Sequence, residues 1–304
     1  MSEVIFVTDE SGAKGYSDNK ESYVGEIGLM AGILVTSAIF DDLNNQLTNI
    51  RNEFFSAEKI HITDLNVEQQ SELRNSIFST LKFFNIKCTY EACYVQGFYK
   101  YYSSLNTIRE NSLKKRRSKI KINFRKSEEL LHATLFEGAF GKALAYCIDE
   151  HEGIANLRII TDQTDQPILK LFNKKAEELI NVQNPYITDK TGFDPIKKAV
   201  IHGTVTTTIN VDEDLFSDLS KIKYSIECED SALTLAADVL SNSLHYHLKN
   251  ATRDTQEKLH SRTIIRGFVL ENLIYGIQDD SFDFSDLIFK HPEIKSTEKK
   301  PCDD

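Results

Sequence analysis

Two aspartates occupy positions at which α/β proteins commonly bind a ligand. Asp9 follows a continuous β-branched and aromatic run, 4–8, that is typical of a strand buried on both faces, and Asp162 directly follows a second predicted strand, 157–161. Open α/β folds bind ligands outside the carboxyl ends of their strands. The two carboxylates are therefore expected to be neighbours at one edge of a sheet.

A third aspartate, Asp238, lies inside the apolar helical run 233–240, where a charge is costly unless it is paired or bound to a cation. Carboxylates that are brought close together repel one another. Bound Mg²⁺ or Mn²⁺ removes that cost, because both ions prefer hard oxygen ligands. Asp9, Asp162 and Asp238 are therefore predicted to be metal ligands and catalytic residues. Because metals held in this way activate water in phosphodiester hydrolysis, the predicted activity is that of a nuclease.

Other polar residues near these positions have two interpretations each. Glu10 is a further catalytic candidate, but it faces away from Asp9 if the strand continues through both, since adjacent side chains alternate. His61 could orient a water or contact a phosphate, although a structural role is favoured for a lone histidine. Asp230 is interpreted as the N-cap of a helix that begins at Ser231.

Positive charge is concentrated in one segment of an otherwise acidic chain. Residues 109–126 contain nine basic residues and one acid, a net charge of +8, whereas the whole chain has a formal net charge of −10. Basic residues interleaved with apolar ones are expected to bind a phosphate backbone, because each neutralised phosphate releases a counterion. A solvated loop or a localisation-like basic run is the alternative. The residues predicted to contact nucleic acid are Lys114, Lys115, Arg116, Arg117, Lys119, Lys121 and Arg125.

Strands and helices alternate along the whole chain, which favours one α/β domain. Predicted strands cover residues 4–8, 25–36, 59–63, 86–95, 157–161, 199–205 and 223–228. Predicted helices cover residues 39–55, 67–84, 127–150, 167–180, 231–249 and 255–277. We expect a single domain over residues 1–278, with the basic insertion near 107–126. A polar, acidic and poorly packed C-terminal tail is expected over residues 279–304.

Composition and motifs argue against several other classes of protein. The longest apolar stretches are far shorter than the roughly 20 residues that cross a bilayer, and the N-terminus lacks the features of a signal peptide. No membrane contact and a cytoplasmic location are therefore expected. Five cysteines without a close CxxC pair argue against disulfides and against a structural zinc site. The chain has no GxGxxG, HExxH or GxSxG motif and no phosphate-binding loop motif, so other enzyme classes are not expected.

Four blocks of the chain, in order, resemble the domain-of-unknown-function family numbered 3800. Residues 5–12 (IFVTDESG) are similar to its strand followed by Asp-Glu-Ser-Gly, and residues 58–65 (EKIHITDL) to its Glu-x-His-Ala-x-Asp block. Residues 157–162 resemble its central strand ending in aspartate, and residues 230–238 its C-terminal Asp-Ser…Gln-Leu-Ala-Asp helix. Leu235 stands where that family usually has glutamine, and Ile62 where a small residue is usual. Neither departure removes a carboxylate.

The resemblance implies a ribonuclease H-like fold, with a mixed sheet flanked by helices, and a metal-dependent nuclease activity. Such folds often place a carboxylate on the helix before the second aspartate strand, which makes Glu137 a further catalytic candidate. An ion pair between Glu137 and Lys142 or another base explains this residue equally well.

Residues and resemblance together predict a Mg²⁺- or Mn²⁺-dependent nuclease that acts on RNA or DNA in a defence or nucleic-acid-processing system. The alternative is a catalytically inactive protein of the same fold that binds nucleic acid or regulates a protein partner. Its basic segment would then serve binding alone.

Overall fold

A mixed five-stranded sheet forms the centre of the protein. The computed structural model describes residues 2–13, 21–55, 61–115, 128–150, 155–162, 164–181, 186–194, 196–208, 219, 221–255, 265–275, 289 and 291–293. The strands are β1 (Ser2–Gly12), β2 (Ile27–Thr36), β3 (Lys87–Tyr94), β4 (Ala155–Thr161), β5 (Tyr186–Asp194), β6 (Ala199–Thr207) and β7 (Lys223–Cys228). The central sheet has the order β3-β2-β1-β4-β7, and β5 and β6 form a separate two-stranded sheet.

Helices flank the central sheet on both faces. They are α1 (Phe40–Phe54), α2 (Val67–Phe83), α3 (Val95–Lys115), α4 (Glu128–Glu150), α5 (Gln166–Ile180) and α6 (Ala232–Thr255), with short 3₁₀ helices at Ile62–Asp64 and Glu271–Leu273. The prediction of an α/β protein with a mixed sheet flanked by helices is confirmed at this level. Within the described residues, no helix is long and apolar enough to cross a membrane.

The pairing of β1 determines where the strand ends meet. β1 is antiparallel to β2, which is in turn antiparallel to β3, whereas β1 and β4 are parallel, as are β4 and β7. Thr8 of β1 is paired with Thr161 of β4. The residues that follow, Asp9 and Asp162, therefore lie side by side where the parallel pairing of β1 with β4 ends.

Alternating side chains of β1 divide the core into two layers. Ile5 and Val7 pack on the side of α1, α2 and α6, whereas Val4 and Phe6 pack on the side of α4 and α5. Successive strand residues point to opposite faces, so a strand covered by helices on both sides must be apolar throughout. This is the continuous apolar run that the sequence showed before Asp9.

Two predicted elements are wrong in the described residues. A strand was expected over 59–63, but residues 62–64 form a 3₁₀ turn in which the Asp64 carboxylate accepts a hydrogen bond from the His61 N–H at 2.9 Å. A helix was expected over 255–277, yet residues 265–275 form turns and a 3₁₀ helix. Gly267 there adopts a left-handed φ of 80° that interrupts any helix. The hairpin strand β5 was not predicted, because its polar residues lack an apolar alternation.

Part of the predicted acidic tail is packed against the domain. The ring of Phe289 lies 5.1 Å from that of Phe98, centroid to centroid, and the side chain of Phe289 is buried. His291 is also buried, and its Nε2 atom lies 3.1 Å from a carboxylate oxygen of Glu21. The segment over 279–304 is therefore not unpacked throughout.

Helix α4 approaches β3 closely at a buried ion pair. Glu91 of β3 is only 7% exposed, and its carboxylate accepts from the Lys142 ammonium of α4 at 2.9 Å. The same ammonium donates to the Tyr90 carbonyl oxygen at 2.6 Å. Gly138 lies one turn before Lys142, so the helix has no side chain at the point where it meets Glu91.

Alanine substitutions at two glycines of α4 test this packing. A Cβ added at Gly138 would lie 2.5 Å from Cγ of Glu91, whereas one added at Gly141 would meet nothing within 4 Å. We expect Gly138→Ala to lower the free energy of unfolding by about 1–3 kcal/mol through overpacking. Gly141→Ala should raise it by about 0.5–1 kcal/mol, because alanine has the higher helix propensity. Urea denaturation measures both values, and equal effects of the two substitutions would contradict the close approach at Gly138.

Candidate active site

The three predicted aspartates are brought together at one edge of the central sheet. Asp9 lies in β1, Asp162 directly follows β4, and Asp238 lies in the second turn of α6, which packs across β1 and β2. The side chain of Asp9 is 7% exposed. Burial raises the pKa of Asp9 well above its usual value, and the charges of Glu10, Asp238 and Asp162 raise it further. A hydrogen bond from the Glu10 backbone opposes these effects.

Asp238 is oriented by the loop that precedes α2. One carboxylate oxygen of Asp238 accepts a hydrogen bond from the Ile62 N–H at 3.0 Å and lies 3.7 Å from Nδ1 of His61. Burial raises the pKa of Asp238, and the charge of Asp162 adds to the rise, whereas the contacts with Ile62 and His61 lower it. The 3₁₀ turn at residues 62–64 therefore positions a carboxylate that belongs to another element.

A small, open cleft lies beside Asp162 and Asp238. Its lining residues are Arg51, His61, Asp162, Asp230, Thr234, Leu235 and Asp238. Thr234 and Asp238 are spaced four residues apart in α6, which places them on one face of the helix, and Asp230 lies just before its first residue. The cleft thus joins the edge of the sheet to one face of α6.

Asp230 does not cap α6, contrary to the sequence-based interpretation. Ser231 takes that position, because its Oγ accepts from the Thr234 N–H at 3.3 Å and its own N–H donates to the Thr234 hydroxyl at 2.9 Å. The Asp230 carboxylate instead accepts from the guanidinium of Arg51 in the last turn of α1, at 3.0 Å. Arg51 was not found from sequence, since a single arginine at a helix end is no distinctive signal.

Glu10 faces the opposite layer of the protein. β1 continues through Gly12, so Glu10 points away from the side chain of Asp9, as strand alternation requires. A carboxylate oxygen of Glu10 lies 3.6 Å from Nε2 of His132 on α4. His132 is buried against the ring of Phe172 and was not identified from sequence. Glu10 therefore acts on Asp9 through its charge.

Glu137 lies apart from the three aspartates and has a basic partner. A carboxylate oxygen of Glu137 lies 2.6 Å from the Lys175 ammonium of α5. Lys142, the base considered from sequence, pairs with Glu91 instead. The structure thus places Glu137 in an ion pair between α4 and α5, and it does not line the cleft.

Most of the predicted nucleic-acid-binding residues lie outside the described residues. Lys114 and Lys115 belong to the last turn of α3, which extends to the start of the basic segment. Arg116, Arg117, Lys119, Lys121 and Arg125 fall between α3 and α4, in the range 116–127 that is not described. Binding by this segment stays a prediction from charge.

The carboxylates have the right chemistry for a hard divalent cation. Asp9, Asp162 and Asp238 offer only oxygen atoms, which are the ligands that Mg²⁺ and Mn²⁺ prefer. Over the part of the chain that the structure describes, however, no three His, Cys, Asp or Glu residues are arranged so that they could hold a metal ion together. The aspartates are close enough to influence one another electrostatically without forming a completed ligand set.

Asp9→Asn should stabilise the protein in the absence of metal at neutral pH. Because the pKa of Asp9 is raised in the folded state, the native protein keeps a proton that the unfolded chain has already lost. Wild-type stability therefore falls as the pH rises from the ordinary aspartate pKa through the raised one. Asparagine keeps the oxygen acceptor but has no charge, so its advantage should grow over that range.

Thermal melting in EDTA between about pH 4 and pH 8 measures this advantage. Asp41→Asn is the matched control, because it removes the same charge from an exposed position at the start of α1. An advantage of Asp9→Asn that does not change with pH, or that matches the control, would contradict the electrostatic strain at Asp9.

Comparison with protein-family models, curated proteins and solved structures finds no match to this chain. The resemblance to the domain-of-unknown-function family numbered 3800 therefore stays a prediction. Functional inference depends on the geometry and charge of the site itself.

Proposed function

We propose that this protein is a metal-dependent nuclease that hydrolyses phosphodiester bonds with Mg²⁺ or Mn²⁺ held by Asp9, Asp162 and Asp238. The observation that carries the proposal is the buried position of Asp9 among other acids. Its charge is opposed by burial and by Glu10, Asp238 and Asp162. No ion pair to a described basic residue offsets that cost. Carboxylates with strongly raised pKa values cluster at functional sites, because stability alone would not favour them.

The topology supports the ribonuclease H-like architecture within this proposal. β1 is central, it is antiparallel to β2 and parallel to β4, and helices cover both faces. The two strand-end aspartates lie where such an open sheet binds ligands. The third aspartate reaches the same place from α6.

Each aspartate has a defined role in the proposed site. Asp9 in β1, Asp162 after β4 and Asp238 in α6 would hold the cation, and the Ile62 N–H orients the Asp238 carboxylate. A divalent cation bound there supplies a polarised phosphate oxygen and a water of lowered pKa. The Thr8 hydroxyl donates to the Ala31 carbonyl oxygen at 2.8 Å, which fixes β1 against β2 directly before Asp9.

A nucleic-acid-binding protein without turnover is the second candidate function. Two observations favour it. Among the described residues, no three His, Cys, Asp or Glu side chains are arranged so that they could hold a metal ion. Leu235 lines the cleft at the position where the domain-of-unknown-function family numbered 3800 usually has glutamine. Such a protein would keep the cleft and the basic segment but would not cut a bound strand.

Asp9→Asn and Asp162→Asn should each reduce divalent-dependent cleavage by more than about 100-fold, because the amide keeps the shape of the side chain but loses the charge that holds the cation. Cleavage of labelled single- and double-stranded RNA and DNA in Mg²⁺ or Mn²⁺ provides the measurement. Thermal melting verifies that each variant is folded.

Asp165→Asn is the control for this experiment, since Asp165 is exposed and lies only three residues after Asp162. It should cut at the wild-type rate. If the wild-type protein binds a strand but cuts none in either metal, the second candidate function is correct instead.

Replacing Lys114, Lys115, Arg116 and Arg117 by alanine should weaken nucleic-acid binding similarly for all sequences. Phosphate contacts supply affinity that does not depend on sequence, and each one adds about one unit to the slope of affinity against salt. Titrations at several salt concentrations should therefore show a slope that is shallower by up to about four. Unchanged affinity and slope would assign the basic segment to another partner or to solvent.

A further inference from the structure

We propose that Arg51 binds a phosphate of the nucleic-acid strand that flanks the phosphate facing the three aspartates. Asp230 holds the Arg51 guanidinium in place until a phosphate of the nucleic acid displaces the Asp230 carboxylate. This inference rests on the proposed function, but it concerns how the strand is held rather than how a bond is cut.

The position of Arg51 in the cleft is the first step of the argument. Arg51 and Asp230 line the same cleft as Asp162 and Asp238. Asp238 lies six residues after Ala232, the first residue of α6, a rise of about 9 Å along the helix, and Asp230 precedes Ala232 by two residues. This separation fits two successive contacts along one strand better than two contacts with the same phosphate. Leu235 adds an apolar wall between these ends that suits the face of a sugar or base.

The charge of the cleft is the second step. The cleft is lined by Asp162, Asp230 and Asp238, and their negative charges repel a nucleic-acid strand. Among the described residues that line the cleft, Arg51 is the only one with a permanent positive charge. Its guanidinium fork matches the geometry of a phosphate in the same way as that of a carboxylate. A nucleic-acid strand that enters this cleft therefore meets the Arg51 guanidinium as a suitable cationic group.

The accessibility of the ion pair is the third step. The side chain of Arg51 is 25% exposed and that of Asp230 is 33% exposed. An ion pair so open to solvent contributes little to stability, so a phosphate can replace its carboxylate at low cost. Because Ser231 caps α6, Asp230 is not needed to begin the helix. Exchange of the Asp230 carboxylate for a phosphate would therefore leave the start of α6 unchanged.

The experiment measures binding of a short labelled single strand, of RNA and of DNA, by fluorescence anisotropy in EDTA. Cleavage is suppressed there without any substitution in the aspartates. Arg51→Ala should weaken binding about tenfold, the loss of one charge-assisted contact, and should reduce the salt slope by about one. Arg51→Lys should lie between Arg51→Ala and wild type, because lysine keeps the charge but not the fork.

Asp230→Ala should have the opposite effect and tighten binding by up to about fivefold, since it frees the guanidinium. In the double variant Arg51→Ala, Asp230→Ala this gain should be lost. If the gain persists in the double variant, removal of a negative charge explains it, and the holding role of Asp230 is wrong. A purely structural ion pair would instead make both single variants bind more weakly.

Arg74→Ala is the matched control. Arg74 belongs to the neighbouring helix α2 and donates to the Asn242 side chain at 3.2 Å, but it does not line the cleft. This variant loses the same charge and should bind like wild type. Equal losses in Arg51→Ala and Arg74→Ala would overturn the proposal, and so would failure of the wild-type protein to bind either strand.

Two further outcomes separate this inference from the proposed function and from binding of free anions. If Arg51→Ala weakens binding while the wild-type protein cuts no strand in Mg²⁺ or Mn²⁺, the nuclease proposal fails and the role of Arg51 stands. If cleavage is observed and Arg51→Ala changes neither binding nor KM, the role of Arg51 fails alone. Displacement of the strand by millimolar inorganic phosphate would show a site for free anions instead of a strand.

Discussion

The parallel pairing of β1 with β4 is the constraint on which the candidate site depends. Because Thr8 is paired with Thr161, the residues that follow them, Asp9 and Asp162, occupy equivalent positions along the two neighbouring chains. A shift of one residue would turn the side chains of β1 to the other face and would separate Asp9 from Asp162. The register is held by apolar contacts on both faces of β1, so the same packing that forms the core also sets the distance between the two carboxylates.

The layer formed by α1, α2 and α6 completes the site from one side of the sheet. α6 packs across β1 and β2 with an apolar surface and positions Asp238 near the strand ends. The loop before α2 contributes the Ile62 N–H, and α1 contributes Arg51. These groups come from distant parts of the chain, so the cleft exists only when this whole layer is packed.

Short-range patterns in the sequence were sufficient for the strands and helices that surround Asp9, Asp162 and Asp238. The limits of β7 were predicted correctly, and those of α2, α4 and α5 within one residue. A continuous apolar run identified β1, which is buried on two faces, and β-branched and apolar residues around Arg158 identified β4. The proximity of Asp9 and Asp162 followed from the rule that parallel strands end at one edge, whereas Asp238 was identified from its charge inside an apolar helical run.

Interactions between distant residues could not be predicted in the same way. The ion pair of Glu137 with Lys175 joins two helices, and that of Arg51 with Asp230 joins α1 to the residues before α6. The partners are far apart in sequence, and no helical or strand periodicity relates them. The cap of α6 was assigned to Asp230 because aspartate and serine are both good caps, and only the backbone geometry decides between them. The turn at residues 62–64 looked like a strand because its apolar and β-branched residues match either structure.

Asp9 and Glu10 are neighbours in β1 but point to opposite faces of the sheet, so a charge in one helical layer affects a carboxylate in the other. Asp9 lies on the side of α6, near Asp162 and Asp238, and Glu10 faces His132 on α4, yet the charge of Glu10 raises the pKa of Asp9. The pKa of Asp9 therefore depends in part on a charge on the far side of the sheet, at a residue that does not line the cleft. Sequence variation at His132 and its neighbours could thus tune the site while its own residues stay unchanged.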